Sequence, residues 1–226
     1  MNPSVFYQSA WLYETLMRVL YGTGYKERSE ALAALIPEGS SVVDLCCGPA
    51  TLYFSHLRFK QVSYTGLDIN RRFVERLSSW LPANERSFQR QDSPRVTGIV
   101  WDVTANVPLP KADYVLMQAS LYHFLPDPRP VVDRMLAAAT KRVILTEPVR
   151  NLADSKNPLL AQLARKLSNP GTGDQPRRFN EHLFEEFVNR YRASDLVVAY
   201  YSIAAGRERL CMLRGGAGEG KVNGDW

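Results

Sequence analysis

The sequence predicts an α/β chain built on a doubly wound, mainly parallel sheet with an antiparallel hairpin at one edge. Three observations predict it. Short strand-like runs alternate with helical stretches from Ser41 to Thr146, as in successive βαβ units. Ala112–Met117 reads as a fully buried strand, which belongs in a parallel sheet covered on both faces. The last two strand-like runs meet around Gly206, as a hairpin does.

The elements follow in order. Val5, Leu12, Leu16, Val19 and Leu20, with aromatics between them, have helical spacing over residues 4–20. Gly22-Thr23-Gly24 is expected to break that helix, and a second one runs from Lys26 to Leu35 and ends at Pro37. Ser41–Leu45 is the first strand, running into Cys46-Cys47-Gly48-Pro49-Ala50 and a helix from about Thr51. Val62–Leu67 reads as a strand and Asn70–Trp80 as a helix. Gly98–Trp101 is preferred over Arg86–Gln91 as the next strand. Val131–Ala139 is a helix and Arg142–Thr146 a strand. A helix at about Leu159–Leu167 and a turn-rich stretch, Ser168–Gly173, precede a helix at Asn180–Arg192. Asp195–Ile203 and Arg207–Leu213 supply the hairpin. The expected division is residues 1–37 as N-terminal helices and 38–214 as one α/β domain with a helical insert at 151–193, followed by a glycine-rich, mobile tail at 215–226.

Composition narrows the function classes. A chain of 226 residues with 45% hydrophobic and 23% charged residues is an ordinary globular protein, which excludes collagen-like, disordered and coiled-coil architectures. It buries about 70% of its unfolded surface and needs neither disulfide nor metal to hold a core. Three cysteines, with Cys46 and Cys47 adjacent, make no disulfide framework and suit a reducing, cytoplasmic compartment. No apolar run reaches about 18 residues, and the first residues lack a basic-then-apolar leader, so neither membrane spanning nor secretion is expected. The net charge of +5 is carried in scattered pairs (Arg71-Arg72, Lys141-Arg142, Arg177-Arg178) rather than a stripe. A nucleic-acid partner is therefore not expected.

The residues around Asp44 carry the chemistry. A strand ending in an acid, then a small-residue turn, then a helix is how doubly wound folds take nucleotide-like ligands, because backbone can approach closely. A tight turn without a ligand is the plain alternative. The turn is not a phosphate site. It lacks Gly-Lys-Ser/Thr, and it has one glycine, Gly48, where a dinucleotide fingerprint needs three. An acid before the turn suits a cationic or amino-bearing ligand instead. No His or further Cys lies near Cys46 and Cys47 in sequence, so they are read neither as metal ligands nor as nucleophiles, and no metal is expected.

Asp44-Leu45-Cys46-Cys47-Gly48-Pro49-Ala50 resembles the first motif, Asp-x-Gly-x-Gly-x-Gly, of the class I S-adenosylmethionine-dependent methyltransferases, in a form similar to small-molecule members. The resemblance covers roughly residues 38–150 and implies a Rossmann-like fold with S-adenosylmethionine as cofactor. Cys46 and Ala50 stand where the first and third glycines are usual. Both are small, so with Asp44 and Gly48 they are expected to take the amino acid part of the cofactor. Asp68, beside Ile69, is placed to accept the ribose hydroxyls; the bland reading is that Asp68 or Asn70 caps the next helix. Asp102 and the backbone of Val103 match the adenine position, with Asp92 as rival.

Gln118-Ala119-Ser120 ends the fourth strand, where members that methylate adenine or glutamine amides carry Asn/Asp-Pro-Pro-Tyr/Phe, so those substrates are disfavoured. Gln118 joins the expected cofactor contacts. Tyr122-His123-Phe124 resembles a segment of small-molecule methyltransferases and makes His123 a candidate base or substrate ligand, against a packing or capping role. Glu147, at the end of the fifth strand, is the second catalytic candidate, unless it only binds Arg150 or nearby backbone. Tyr13, Tyr25 and Arg28 come from helices that fold over the cofactor as a lid in similar enzymes. With Tyr122 and Arg178, the tyrosines are candidate substrate contacts, an aromatic face being attractive to a sulfonium. Helix packing or solvated charge is the plain reading of each.

The expected activity is in-line transfer of a methyl group from S-adenosylmethionine to a small-molecule acceptor, with the protein supplying orientation and exclusion of water. The rivals are a methyltransferase acting on RNA or protein, and a cofactor-binding Rossmann-like protein without methyl transfer, dehydrogenases included. Fold analogy names no acceptor.

Overall fold

The computed structural model describes residue 15 and residues 23–79, 95–105, 107–150 and 177–216. The helix expected over 4–20 (Thr15 apart), the one at Leu159–Leu167, the turn Ser168–Gly173 and the rival strand Arg86–Gln91 lie outside those residues.

Five strands, β1 (Ser41–Leu45), β2 (Ser63–Asp68), β3 (Val96–Val100), β4 (Ala112–Gln118) and β5 (Ala139–Pro148), run parallel. β6 (Val197–Ile203) and β7 (Glu208–Arg214) form an antiparallel pair, and β7 is antiparallel to β5. The sheet order is β3-β2-β1-β4-β5-β7-β6. This is the Rossmann-like architecture with an antiparallel edge that the alternation predicts. The strand order reverses between β1 and β4, which opens the crevice at their C-terminal ends where such sheets take ligands.

Helices cover both faces. One face carries Val43, Leu45, Val115, Met117, Val143 and Leu145 beneath α4 (Arg129–Ala138) and α5 (Glu181–Arg192). The other carries Val42, Tyr64, Leu116, Ile144 and Leu210 beneath α1 (Thr23–Leu35) and α2 (Thr51–Ser55). Burying a Val, Leu, Ile or Phe side chain contributes about 1.5–3 kcal/mol, so these two layers set the fold. α3 (Arg71–Ser79) follows β2. α5 starts at Asn180, whose side chain accepts from the Leu183 N–H, and ends in Arg190 and Arg192, which suit the negative end of the helix dipole.

Several boundaries differ from expectation by one to three residues, and three of them have a visible cause. α1 starts at Thr23 rather than at Lys26 and so takes in Gly24; a Cβ there would stand 3.1 Å from Cβ of Ala204, so its absence lets the helix close on that turn. β3 starts at Val96 because its pairing with β2 begins there, Tyr64 opposite Val96. β5 runs to Pro148 because β7 pairs with it as far as Pro148–Glu208. Neither pairing is visible locally. No helix among the described residues is long and apolar enough to cross a membrane.

Candidate functional site

The turn after β1 is held in an unusual conformation. Cys46, Gly48 and Ala50 have φ of 55°, 55° and 56°, in the left-handed region where two of the three carry a Cβ. Such positions cost about 1 kcal/mol or more each for a side-chain-bearing residue, and persist where surrounding contacts over-determine them. Three backbone donors do so here: the Cys47 N–H donates to Leu67 O at 3.1 Å, the Ala50 N–H to Cys47 O at 3.0 Å, and the Gly48 N–H to Asp68 Oδ2 at 2.8 Å. Gly66 makes room beneath, since a Cβ there would lie 2.8 Å from both Cys47 Sγ and Leu77 Cδ2. Burial raises the thiol pKa values of Cys46 and Cys47, so neither is a thiolate at neutral pH.

Asp44 is fully buried. Its Oδ2 accepts from the Tyr64 hydroxyl at 2.8 Å and from Gln118 Nε2 at 2.9 Å. Burial lifts its carboxyl to about 7, against the two donors and with the Asp68 charge adding to the rise. Asp68 ends β2 and accepts from Gly48 and, at Oδ1, from the Asn70 N–H at 2.8 Å; burial raises its pKa as well. The side-chain cap of α3 is Asn70, whose Oδ1 accepts from the Arg72 N–H at 3.1 Å. Asp68 instead ties the turn after β1 to its own loop.

The Trp101 N–H donates to Asp68 O at 2.9 Å, which brings the end of β3 beside the end of β2. Asp102 is exposed, and Thr104 donates to its Oδ1 from backbone and hydroxyl at 2.8 and 2.6 Å, which holds its carboxyl below the usual range. Val103 is buried, with its carbonyl accepting from Arg134, and Ile69 is exposed. Asp92 lies outside the described residues.

A second group sits at the ends of β4 and β5. Glu147 is 1% exposed, and its Oε2 accepts from the Leu121 N–H at 3.0 Å; Arg150 pairs with Glu181 instead. Burial pushes the Glu147 carboxyl up to about 8. The 3₁₀ turn Leu121–Phe124 stacks Tyr122 on His123 at 4.0 Å between ring centroids. The Arg178 guanidinium lies 3.6 Å from the Tyr122 ring centroid. Burial, with the Arg178 charge, pulls the His123 pKa down to about 4, so the imidazole is neutral.

Sequence reasoning singles out Asp44, Cys46, Gly48, Ala50, Asp68 and Gln118, and the fold brings them together. It also brings Tyr122, His123, Glu147 and Arg178 together one strand further on. Tyr25 reaches the turn through a 3.0 Å hydrogen bond to Thr51, and Tyr13 lies outside the described residues. Sequence reasoning misses Tyr64 and Glu208. Tyr64 is a phenol inside an otherwise buried strand, a signal that it needs a partner. Glu208 has no such signal, being one more charge after a hairpin turn.

Buried polar atoms with no partner among the described residues include Asp44 Oδ1, Trp101 Nε1, His123 Nδ1 and Thr146 Oγ1. Asp44, Trp101 and Thr146 lie within two residues of the C-terminal end of a parallel strand and His123 lies in the 3₁₀ turn after β4, a region where a ligand with several polar groups would satisfy them.

The family described as a methyltransferase domain matches residues 18–199. No curated protein matches the chain in sequence. Among solved structures, a chain of the Haloferax volcanii complex between the Trm112 methyltransferase activator and a methyltransferase aligns with TM-score 0.65 and 14% identity, over 95% of this chain and 99% of that one. Magnesium protoporphyrin IX methyltransferase from Synechocystis PCC 6803, with bound SAH, aligns with TM-score 0.58 and 15% identity over 85% and 84%. An S-adenosyl-L-methionine-dependent methyltransferase from Methanococcus maripaludis aligns with TM-score 0.57 and 17% identity over 95% and 96%. At these identities the likeness establishes the fold.

Proposed function

The chain belongs to the methyltransferase domain family and has the fold of the class I S-adenosylmethionine-dependent enzymes, and from that premise we propose that it methylates a small-molecule acceptor with S-adenosylmethionine as cofactor. The observation that carries the cofactor reading is the left-handed turn at Cys46, Gly48 and Ala50, flanked by the buried acids Asp44 and Asp68. The residues fit the group: Asp44 Oδ1 is a buried acceptor lacking a partner among the described residues, suited to an ammonium, and Asp68 keeps acceptor positions beyond its two backbone donors, suited to ribose hydroxyls. Asp102 and Val103, with Ile69 beside Asp68, would border the adenine. Gln118 holds Asp44.

When bound, S-adenosylmethionine supplies a methyl group activated on a sulfonium. This chain's residues orient, exclude water and handle a proton. Tyr122, His123 and Glu147 are recessed, which favours an acceptor small enough to enter over a side chain on a folded macromolecule. Neutral His123 has a buried Nδ1 with no partner among the described residues, suited to one hydrogen bond with the acceptor's O–H or N–H group. Glu147 holds a proton at neutral pH and becomes a base as pH rises through about 8. Arg178, Tyr122, Tyr25 and Tyr13 are the proposed acceptor contacts.

Calorimetry with S-adenosylmethionine, S-adenosylhomocysteine and NAD tests the cofactor reading; binding of NAD alone would overturn it. Methyl transfer from labelled cofactor to a small-molecule extract, compared with RNA and protein fractions, tests the acceptor class. Label appearing only in a macromolecular fraction refutes that part.

A further inference from the structure

We propose that Tyr64 and Gln118 are positioning residues for cofactor binding: by donating to the same oxygen of Asp44 they fix its carboxyl with the other oxygen left for a ligand cation. This rests on the cofactor reading above, the cation being the ammonium of the cofactor's amino acid part.

The geometry is specific. β1 lies between β2 and β4, and Asp44 pairs in register with Gly66 on one side and Leu116 on the other. Tyr64 reaches it from β2 and Gln118 from β4, so the two donors converge from opposite flanks. A carboxylate has about four acceptor positions on two oxygens. Here both donors take Oδ2, and Oδ1 is buried with no partner among the described residues. Tyr64 is fully buried, and its ring packs against Tyr53 at 4.9 Å between centroids, so the phenol is held in place.

Among the described residues, the ionisable groups around this carboxyl come from β2 and from the turn. From β2 come Asp68, an acid, and Tyr64; from the turn come Cys46 and Cys47. Burial keeps the phenol and both thiols neutral at physiological pH, and Gln118 on β4 carries no charge. A buried acid facing another acid and two neutral donors gains either a proton or a cation. Its pKa of about 7 places the exchange near neutrality. Cofactor binding then returns the Asp44 proton to solvent.

Calorimetric titration of the whole chain with S-adenosylhomocysteine from pH 6 to 8.5, in buffers of different ionisation heat, reads affinity and protons released together. Affinity is expected to rise through about pH 7, with up to about one proton released per ligand below that pH. 5′-Methylthioadenosine, which lacks the amino acid part, is expected to bind without that dependence. Tyr64→Phe removes a donor that favours the charged carboxyl, so affinity for S-adenosylhomocysteine falls about fivefold at pH 7 and less than about twofold at pH 8.5, for a rise of about one pKa unit. Gln118→Met acts in the same direction from the other strand and carries the test if Tyr64→Phe does not fold. Binding that is flat with pH in the native chain overturns the proposal, as do variants that lose the same factor at every pH, the pattern of a purely structural role. If neither ligand binds, the cofactor reading itself is overturned.

Discussion

Arg28 and Glu208, 180 residues apart, meet in a buried two-point ion pair, Nε to Oε2 at 2.6 Å and Nη2 to Oε1 at 2.5 Å. It fastens α1 to the first residue of β7, while Tyr25, one turn earlier on α1, bonds Thr51 at the start of α2. α1 is thereby tied both to the element after the cofactor turn and to the strand beside β5.

Removing one partner strands the other in the interior. Arg28→Met should destabilise the chain by about 3–5 kcal/mol, whereas Arg28→Met with Glu208→Met recovers most of that loss, because two apolar side chains replace two desolvated charges. Urea unfolding of the two variants and the native chain checks this. A double variant no more stable than the single one would refute it.

Asp68→Ala should lower affinity for S-adenosylhomocysteine by about tenfold or more, since it removes a charged acceptor and releases the Gly48 N–H it holds. Calorimetry reads the loss, with circular dichroism showing that the fold persists. Retained affinity would remove Asp68 from the ribose role.

Asp44 and Glu147 have folded-state pKa values raised to about 7 and about 8 by burial. An acid whose folded pKa is raised binds more protons folded than unfolded between the two values, so stability falls as pH rises through that window. The penalty accrues from about pH 4 to 7 for Asp44 and from about 4.5 to 8 for Glu147, and is absent below and constant above. Denaturant unfolding at pH 5 and pH 8 should show the native chain less stable at pH 8. Glu147→Gln should reduce that slope, by at most about 1.4 kcal/mol per pH unit.

Gly66→Ala places a Cβ 2.8 Å from Cys47 Sγ and Leu77 Cδ2. The expected cost is about 1–3 kcal/mol from overpacking, and the shift is transmitted to the turn through Cys47. A lowered melting temperature accompanied by weaker S-adenosylhomocysteine binding is the outcome to measure. An unchanged melting temperature would show that the turn yields without cost.

Much of this molecule is readable along the chain because the relevant signals are local. The run Ser41–Leu45, its acid Asp44 and the small residues that follow declare a strand, a turn and a helix within eleven positions of one another. Asp68 and Gln118 are legible for the same reason: each ends a strand, and parallel sheets gather strand ends on one side. Glu147 is legible as a position, but its partner, the Leu121 N–H, comes from another element.

The alternation, the fold class and the identity of the acids at the strand ends are written along the chain, since periodicity and turn chemistry act over a few residues. Packing in three dimensions places β7 between β5 and β6, brings Tyr64 and Gln118 onto one oxygen of Asp44, and joins Arg28 to Glu208. Those outcomes depend on strand register and on which charges are buried together. Such long-range terms are created by packing, and no local pattern encodes them.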